Sequence, residues 1–255
     1  MKTIVTTNIR GGCGKTTNVL HLSVAASLAK KHNRVLVVDL DPQAHLSFCL
    51  CPTPPEDSTV FVDSFLNGES PKPQKTAYKN LFIIPSRMEL TRIQDSGQLN
   101  NPQWEEILLK ELAKVQDEFD YVFIDTPAAY FKLHVLALRA SDAFIISMRP
   151  EAFSLIGFSE SMYQIENFKK ELNIETPVFA GYFLNGVPKA KRLAIERIRD
   201  SIKSEYSETG YEIPQSNLFD EARWADKQSI FSLPGAKELQ KMYVAAWTTL
   251  CKTLG

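Results

Sequence analysis

Apolar runs and helical stripes alternate along this 255-residue chain. Thr3-Ile4-Val5-Thr6-Thr7 is a short β-branched run, and Val19, Leu20, Leu22, Ala26 and Leu28 then trace a helical pattern from Lys15 to Lys31. Arg34–Asp39 and Tyr121–Asp125 are continuous apolar runs ending in a carboxylate, as strands buried on both faces read. Leu81–Pro85, Ala143–Ser147 and Val178–Leu184 resume strand character. Helices are expected after Pro102, whose fixed φ suits a first helical position, with Trp104, Ile107, Leu108, Leu112 and Val115 as apolar positions. Further helices are expected over Leu133–Arg139, Phe153–Leu172, 190–206 and 235–253. Residues 52–80 are the least regular, with Pro52, Pro54, Pro55, Pro71 and Pro73 around one apolar segment, Val60–Leu66; this is an excursion beside the core rather than a separate domain. The pattern predicts one α/β domain over 1–255, its mostly parallel sheet covered by helices on both faces. Ligands in such sheets bind outside the carboxyl ends of the strands.

Composition narrows this picture. With 44% hydrophobic residues the chain can bury one sizeable core, and a net charge of −1 requires any nucleic-acid contact to come from a local patch. Cys13, Cys49, Cys51 and Cys251 make no disulfide framework, and Cys49-x-Cys51 is too close for a C-x-x-C motif, so free thiols are expected. There is no apolar run of membrane-spanning length and no signal-peptide layout, which places the expected protein in the cytoplasm. His21, His32, His45 and His134 have no metal-ligand spacing, and a surface or packing role is expected for His45. Trp104, Trp224 and Trp247 read as core or interface rather than as base-stacking platforms.

Candidate chemistry gathers at three strand ends. Asn8-Ile9-Arg10-Gly11-Gly12-Cys13-Gly14-Lys15-Thr16-Thr17 joins the first strand to the first helix. Glycines let successive N–H groups turn onto anionic oxygens, and the helix adds its positive dipole end. Lys15 would reach phosphates and the Thr16 hydroxyl would ligate Mg²⁺. Ile9 stands where the usual G-x-x-x-x-G-K-[ST] string has its first glycine. Val37-Val38-Asp39-Leu40-Asp41-Pro42-Gln43 supplies two carboxylates, and Phe123-Ile124-Asp125-Thr126-Pro127 supplies a third in the form of a Walker B site. A strand-end aspartate alone is often only a helix cap, and glycines before a helix only a turn. All three in this order point to nucleotide binding with Mg²⁺.

Arg10-Gly11-Gly12-Cys13-Gly14-Lys15-Thr16-Thr17 resembles the deviant Walker A motif, K-G-G-x-G-K-T-T, of the ParA/MinD ATPases, including their ParA/Soj partition branch. Asp39-Leu40-Asp41-Pro42-Gln43 is similar to that family's D-x-D-P-Q, and Ile124-Asp125-Thr126-Pro127-Ala128 to its I-D-T-P-P. Looser similarity runs through 150–157, Leu184, Ile213-Pro214, Asp220-Glu221-Ala222 and the last helix. The resemblance implies an ATP-dependent homodimer with nucleotide between the subunits. It assigns Lys15, Thr16 and Thr17 to phosphates and Mg²⁺, Asp41 to the attacking water, Asp39 and Asp125 to the surroundings of the metal, and Asn185 and Pro214 approximately to the adenine. Arg10 stands where the family has a lysine that reaches the partner's phosphates. The longer planar fork either binds those phosphates bidentately or is too bulky for the sandwich, and ATP binding with altered turnover is expected.

The resemblance further implies nonspecific DNA binding. Lys189, Lys191, Arg192, Arg197, Arg199 and Lys203 make one region basic, with Arg192, Arg199 and Lys203 on one helix face beside Ile195, Ile198 and Ile202. Gln215 replaces a family arginine, and Arg223 and Lys227 are candidates to compensate. The competing reading is a solvated helix face. Membrane attachment of the MinD kind is disfavoured, because Leu239, Tyr243, Ala246, Trp247 and Leu250 read as the packing face of a core helix. A ParB-like or adaptor protein that stimulates hydrolysis is the implied partner, and the cargo would be a plasmid, a chromosome or a protein assembly. The alternatives are a nucleotide-gated scaffold with little hydrolysis and a small-molecule P-loop kinase or synthetase.

Overall fold

The computed structural model describes residues 1–51, 53, 61–67, 69–92, 103–128, 131–151, 153–188, 192–206, 210–224 and 229–255. Eight strands form one sheet in the order β3-β4-β2-β5-β1-β6-β7-β8. They are β1 (Lys2–Thr7), β2 (Val35–Asp39), β3 (Gln74–Lys75), β4 (Leu81–Ile84), β5 (Tyr121–Asp125), β6 (Ala143–Met148), β7 (Val178–Val187) and β8 (Gly210–Pro214). Every pairing is parallel except that of β3 with β4. The helices are α1 (Lys15–Ala29), α2 (His45–Leu50), α3 (Ile107–Ala113), α4 (Phe131–Arg139), α5 (Ser154–Leu172), α6 (Arg192–Glu205), α7 (Leu218–Trp224) and α8 (Lys237–Leu254).

Successive side chains of a strand point to opposite faces, so a strand covered on both sides must be apolar throughout. In β2, Leu36 and Val38 enter one core and Val35 and Val37 the other; in β5, Val122 and Ile124 oppose Phe123. Leu133 and Leu136 of α4, Phe158 and Ile165 of α5 and the Ile195, Ile198 and Ile202 stripe of α6 cover the first face. Val19 and Leu22 of α1 cover the second together with Leu239, Tyr243, Ala246, Trp247 and Leu250 of α8, the stripe read as a packing face. Trp247 packs edge-on to Tyr121, ring centroids 4.7 Å apart. All four cysteines are free. Among the described residues no helix is long and apolar enough to cross a membrane.

The predicted elements between Lys15 and Leu172 recur with small shifts. The helix expected after Pro102 begins as a 3₁₀ turn at Trp104–Glu106, with Pro102 itself outside the described residues. Val62–Asn67 is likewise a 3₁₀ turn within the irregular excursion. The pattern did not disclose α2, α7, the two-residue β3 or β8. What positions the site is the sheet order: β1 lies between β5 and β6, so the loop leaving β1 opens beside the carboxyl ends of β5, β6 and β7.

Candidate functional site

Asn8 starts the loop and anchors it. Its Nδ2 donates to the Ser147 carbonyl at 2.6 Å, at the end of β6, and its Oδ1 accepts from the Arg10 N–H at 2.9 Å. From β7, Asn185 Nδ2 donates to the Cys13 carbonyl at 2.8 Å. Gly14 takes φ 93°, and an ideal Cβ there would lie 2.7 Å from Asn185 Nδ2, so both conformation and space require glycine. The Asn185 Oδ1 is buried without a hydrogen-bond partner among the described residues. Inside the curve, the buried Lys15 ammonium donates to the carbonyls of Asn8 at 3.1 Å and Arg10 at 3.0 Å. It is thereby held in the loop's concavity, where an anion would compete with those carbonyls.

Asp39 and Asp125 lie opposite each other on β2 and β5. Both are fully buried, but their surroundings differ. Asp39 Oδ2 accepts from the Ser47 hydroxyl at 2.7 Å and the Ser47 N–H at 2.9 Å, and Oδ1 accepts from the Asp41 N–H at 3.0 Å. Burial pushes its carboxyl up to about 6 against those hydrogen bonds. Both oxygens are thus engaged in anchoring α2 and the turn at Asp41. Among the described residues neither oxygen of Asp125 meets a hydrogen-bond partner. Burial, then the charge of Asp39, raise its pKa well above the carboxylate range, opposed by the nearby Thr16 hydroxyl and Lys15 ammonium. An orphaned carboxylate beside a helix-terminal hydroxyl suits Mg²⁺, which takes one or two protein oxygens and fills its shell with water and phosphate oxygens. Among the described residues no group of three His, Cys, Asp or Glu could hold a metal alone, so a cation here would be held jointly with a ligand.

A cleft of about 710 Å³ extends from Gly11–Thr17 past Asp41 and Thr126 to Asn185, Pro214 and Asn217. It brings together Lys15, Thr16, Thr17, Asp41, Asn185 and Pro214, whose positions span some two hundred residues of sequence. Arg10 is exposed; its guanidinium lies 6.0 Å from the centroid of the Phe153 ring, and an ideal Cβ at Gly157 would come within 2.8 Å of its Nε. It therefore packs on the first turn of α5. His45 is exposed, in keeping with a surface position, and lines the cleft.

Sequence reasoning missed Arg149 and Arg223 as cleft residues. Arg149, at the end of β6, lines the cleft and pairs with Glu151 at 3.5 Å. Arg223, a candidate DNA contact, donates from Nη2 to the Thr17 hydroxyl at 3.0 Å. No spacing signal could have found either, since each reaches the loop only through the sheet order. Arg199 and Lys203 lie one turn apart on α6. Arg199 is ion-paired with Glu212. Lys203 has an interaction partner. Lys189, Lys191, Lys227 and the Arg192 side chain lie outside the described residues.

A glycine loop between the first strand and helix of a parallel sheet, with a lysine in its concavity and a buried strand-end aspartate beneath, defines a P-loop protein. The AAA domain family matches residues 1–178, and the chain belongs to the ParA/MinD-type P-loop ATPases. It is 39% identical over 165 residues to a ParA family protein of Chlamydia pneumoniae, a match that spans 62% of this chain and 62% of that relative. It is 28% identical over 228 residues to the chromosome partitioning protein ParA of Caulobacter vibrioides, covering 87% of this chain and 84% of the other. The structure of an ATP complex of McdA from Cyanothece superposes with a TM-score of 0.83 at 21% identity, over 98% of this chain and 96% of the other, which establishes the shared fold.

Proposed function

We propose that the chain is a Mg²⁺-dependent ATPase that dimerises around ATP and positions or segregates a cargo. Its ATP-bound dimers bind DNA without sequence preference, and a ParB-like or adaptor partner triggers hydrolysis and release. The observation that carries the chemical part is Asp125: a fully buried carboxylate without a hydrogen-bond partner among the described residues, within electrostatic reach of Thr16 and Lys15 of the loop. The loop N–H groups and Lys15 bind the phosphates, and Asp125 and Thr16 hold the cation. Asn185 Oδ1, a buried acceptor at the cleft wall, is suited to an exocyclic amine of the base. Asp41, at the cleft edge with Oδ1 accepting from the Gln43 N–H at 2.9 Å, keeps its other oxygen for a water. The bound cation supplies charge neutralisation of the phosphates. Residues 1–255 then act as one cytoplasmic domain.

A second reading, a nucleotide-gated scaffold with little turnover, is favoured by Arg10, which lies on Phe153 and Gly157 rather than over the loop. Both readings are tested by ATPase rate with and without duplex DNA, together with DNA binding in ATP, ADP and no nucleotide across a salt series. Stimulated turnover and ATP-gated, salt-sensitive binding support the ATPase; ATP-locked dimers without turnover support the scaffold. DNA binding that ignored nucleotide state would sink the switch.

A further inference from the structure

Arg223 sits on α7, 206 residues from Thr17, yet its Nη2 donates to the Thr17 hydroxyl at 3.0 Å. Its Nη1 lies 3.5 Å from an Asp220 oxygen, and both residues line the same cleft as the glycine loop. Thr17 is in the first turn of α1, where unpaired N–H groups and the helix dipole favour an anion. A guanidinium has five donors in a fixed fork, so two contacts leave donors for a ligand. The Asp220 side chain is 70% exposed, which makes that ion pair weak and readily exchanged. A phosphate group offers the same fork two oxygens at once.

The geometry points to Arg223 as a phosphate-contacting residue for a nucleoside di- or triphosphate, exchanging Asp220 for a phosphate oxygen while remaining beside Thr17. This rests on the nucleotide reading above and adds a cation that none of the loop residues supplies. It also ties α7 to the loop, so that nucleotide occupancy is felt by a helix far from β1 in sequence. Arg223 approaches through the first turn of α1, where the phosphates common to di- and triphosphates are cradled. Arg10 stands on the other rim, against α5. Arg223 therefore serves ADP and ATP alike.

The test is calorimetric titration of the full chain with ADP and with a non-hydrolysable ATP analogue in Mg²⁺. Arg223→Ala should weaken both about tenfold, the loss expected for one charge-assisted hydrogen bond, and should flatten the salt dependence of the dissociation constant. Arg223→Lys should recover part of the affinity, and the melting temperature of the nucleotide-free protein should hardly move. Unchanged affinities combined with a lower melting temperature would make Arg223 a structural strap and overturn the proposal. A loss confined to the ATP analogue would overturn the assignment to the shared phosphates. Lys15→Ala serves as the reference. If it abolishes binding while Arg223→Ala does nothing, only the Arg223 proposal fails; if it binds as tightly as the native chain, the nucleotide reading fails and Arg223 with it.

Discussion

Asp125 is held where its charge is unfavourable, and that cost is legible in its surroundings. Burial and the neighbouring Asp39 raise its pKa, so the folded protein retains a proton there at pH values where the unfolded chain has lost it. Stability of the nucleotide-free protein therefore falls as pH rises from the ordinary carboxylate value through the folded one. Asp125→Asn keeps the shape and removes the charge. It should raise the melting temperature of the nucleotide-free protein at pH 7.5 by a few degrees while abolishing Mg²⁺-dependent nucleotide binding; a variant that melts below the native protein would refute this account. His21 shows the opposite linkage. Its Nδ1–H donates to the Thr17 carbonyl at 2.6 Å, its Nε2 accepts from the Ile230 N–H at 3.3 Å, and its ring stacks on Tyr243. Burial lowers its pKa to about 4, so the imidazole stays neutral in the folded state. Between pH 6.5 and about 4 the unfolded chain takes up a proton that the folded protein refuses. The stability that His21 contributes is complete above that window and is lost as pH falls through it, by about 3 kcal/mol in total. In denaturant titrations the gap between the native chain and His21→Gln should accordingly narrow on acidification, and a gap independent of pH would show that the ring is not the titrating group.

At the level of elements, the packing of α8 over the sheet explains both what sequence disclosed and what it hid. Strands β1, β2, β5 and β6 read clearly because burial on both faces leaves a continuous apolar run. Strand β8 did not: it is an edge strand with only Ile213 buried, and it ends in Pro214. Helices α2 and α7 are short, and their placement follows from tertiary contacts, Ser47 with Asp39 and Arg223 with Thr17, rather than from an apolar period. The loop, Asp41 and Asp125 were readable because their chemistry is local, a few residues in fixed order. The directions of Arg10, Arg149 and Arg223 depend on which strand neighbours which, and no spacing encodes that. Trp247 carries the expectation that belongs to this scale. It is buried between Tyr121 and Phe123, with ring centroids at 4.7 and 5.6 Å, and α8 supplies it to the face that also buries α1. Trp247→Ala should cost about 3–5 kcal/mol in denaturant unfolding. A loss under 1 kcal/mol, roughly that of a surface change, would show that α8 is not part of the cooperative core.

For the whole molecule, the informative surface is the one around Arg10. Phe153 and Ile156 are 63% and 58% exposed, and Tyr163, further along α5, is 69% exposed. Spacings of three and ten residues place them on one side of a helix, so they form a stripe rather than scattered residues. The stripe adjoins the rim of the phosphate loop through Arg10, whose guanidinium lies over the Phe153 ring. A dimer that closes over bound nucleotide would bury this stripe and the loop rim together. The joint substitution Phe153→Glu with Ile156→Asp should leave the monomer folded, because both side chains are solvent-facing, and should leave ADP affinity unchanged. In light scattering with Mg²⁺ and a non-hydrolysable ATP analogue, the native chain should have dimer mass and the double variant monomer mass. Arg10→Lys, which keeps the charge but gives up the planar contact with Phe153, should retain the dimer and change the ATPase rate. If the double variant still doubles its mass in the ATP analogue, the subunits meet on another face and Arg10 has no part in joining them.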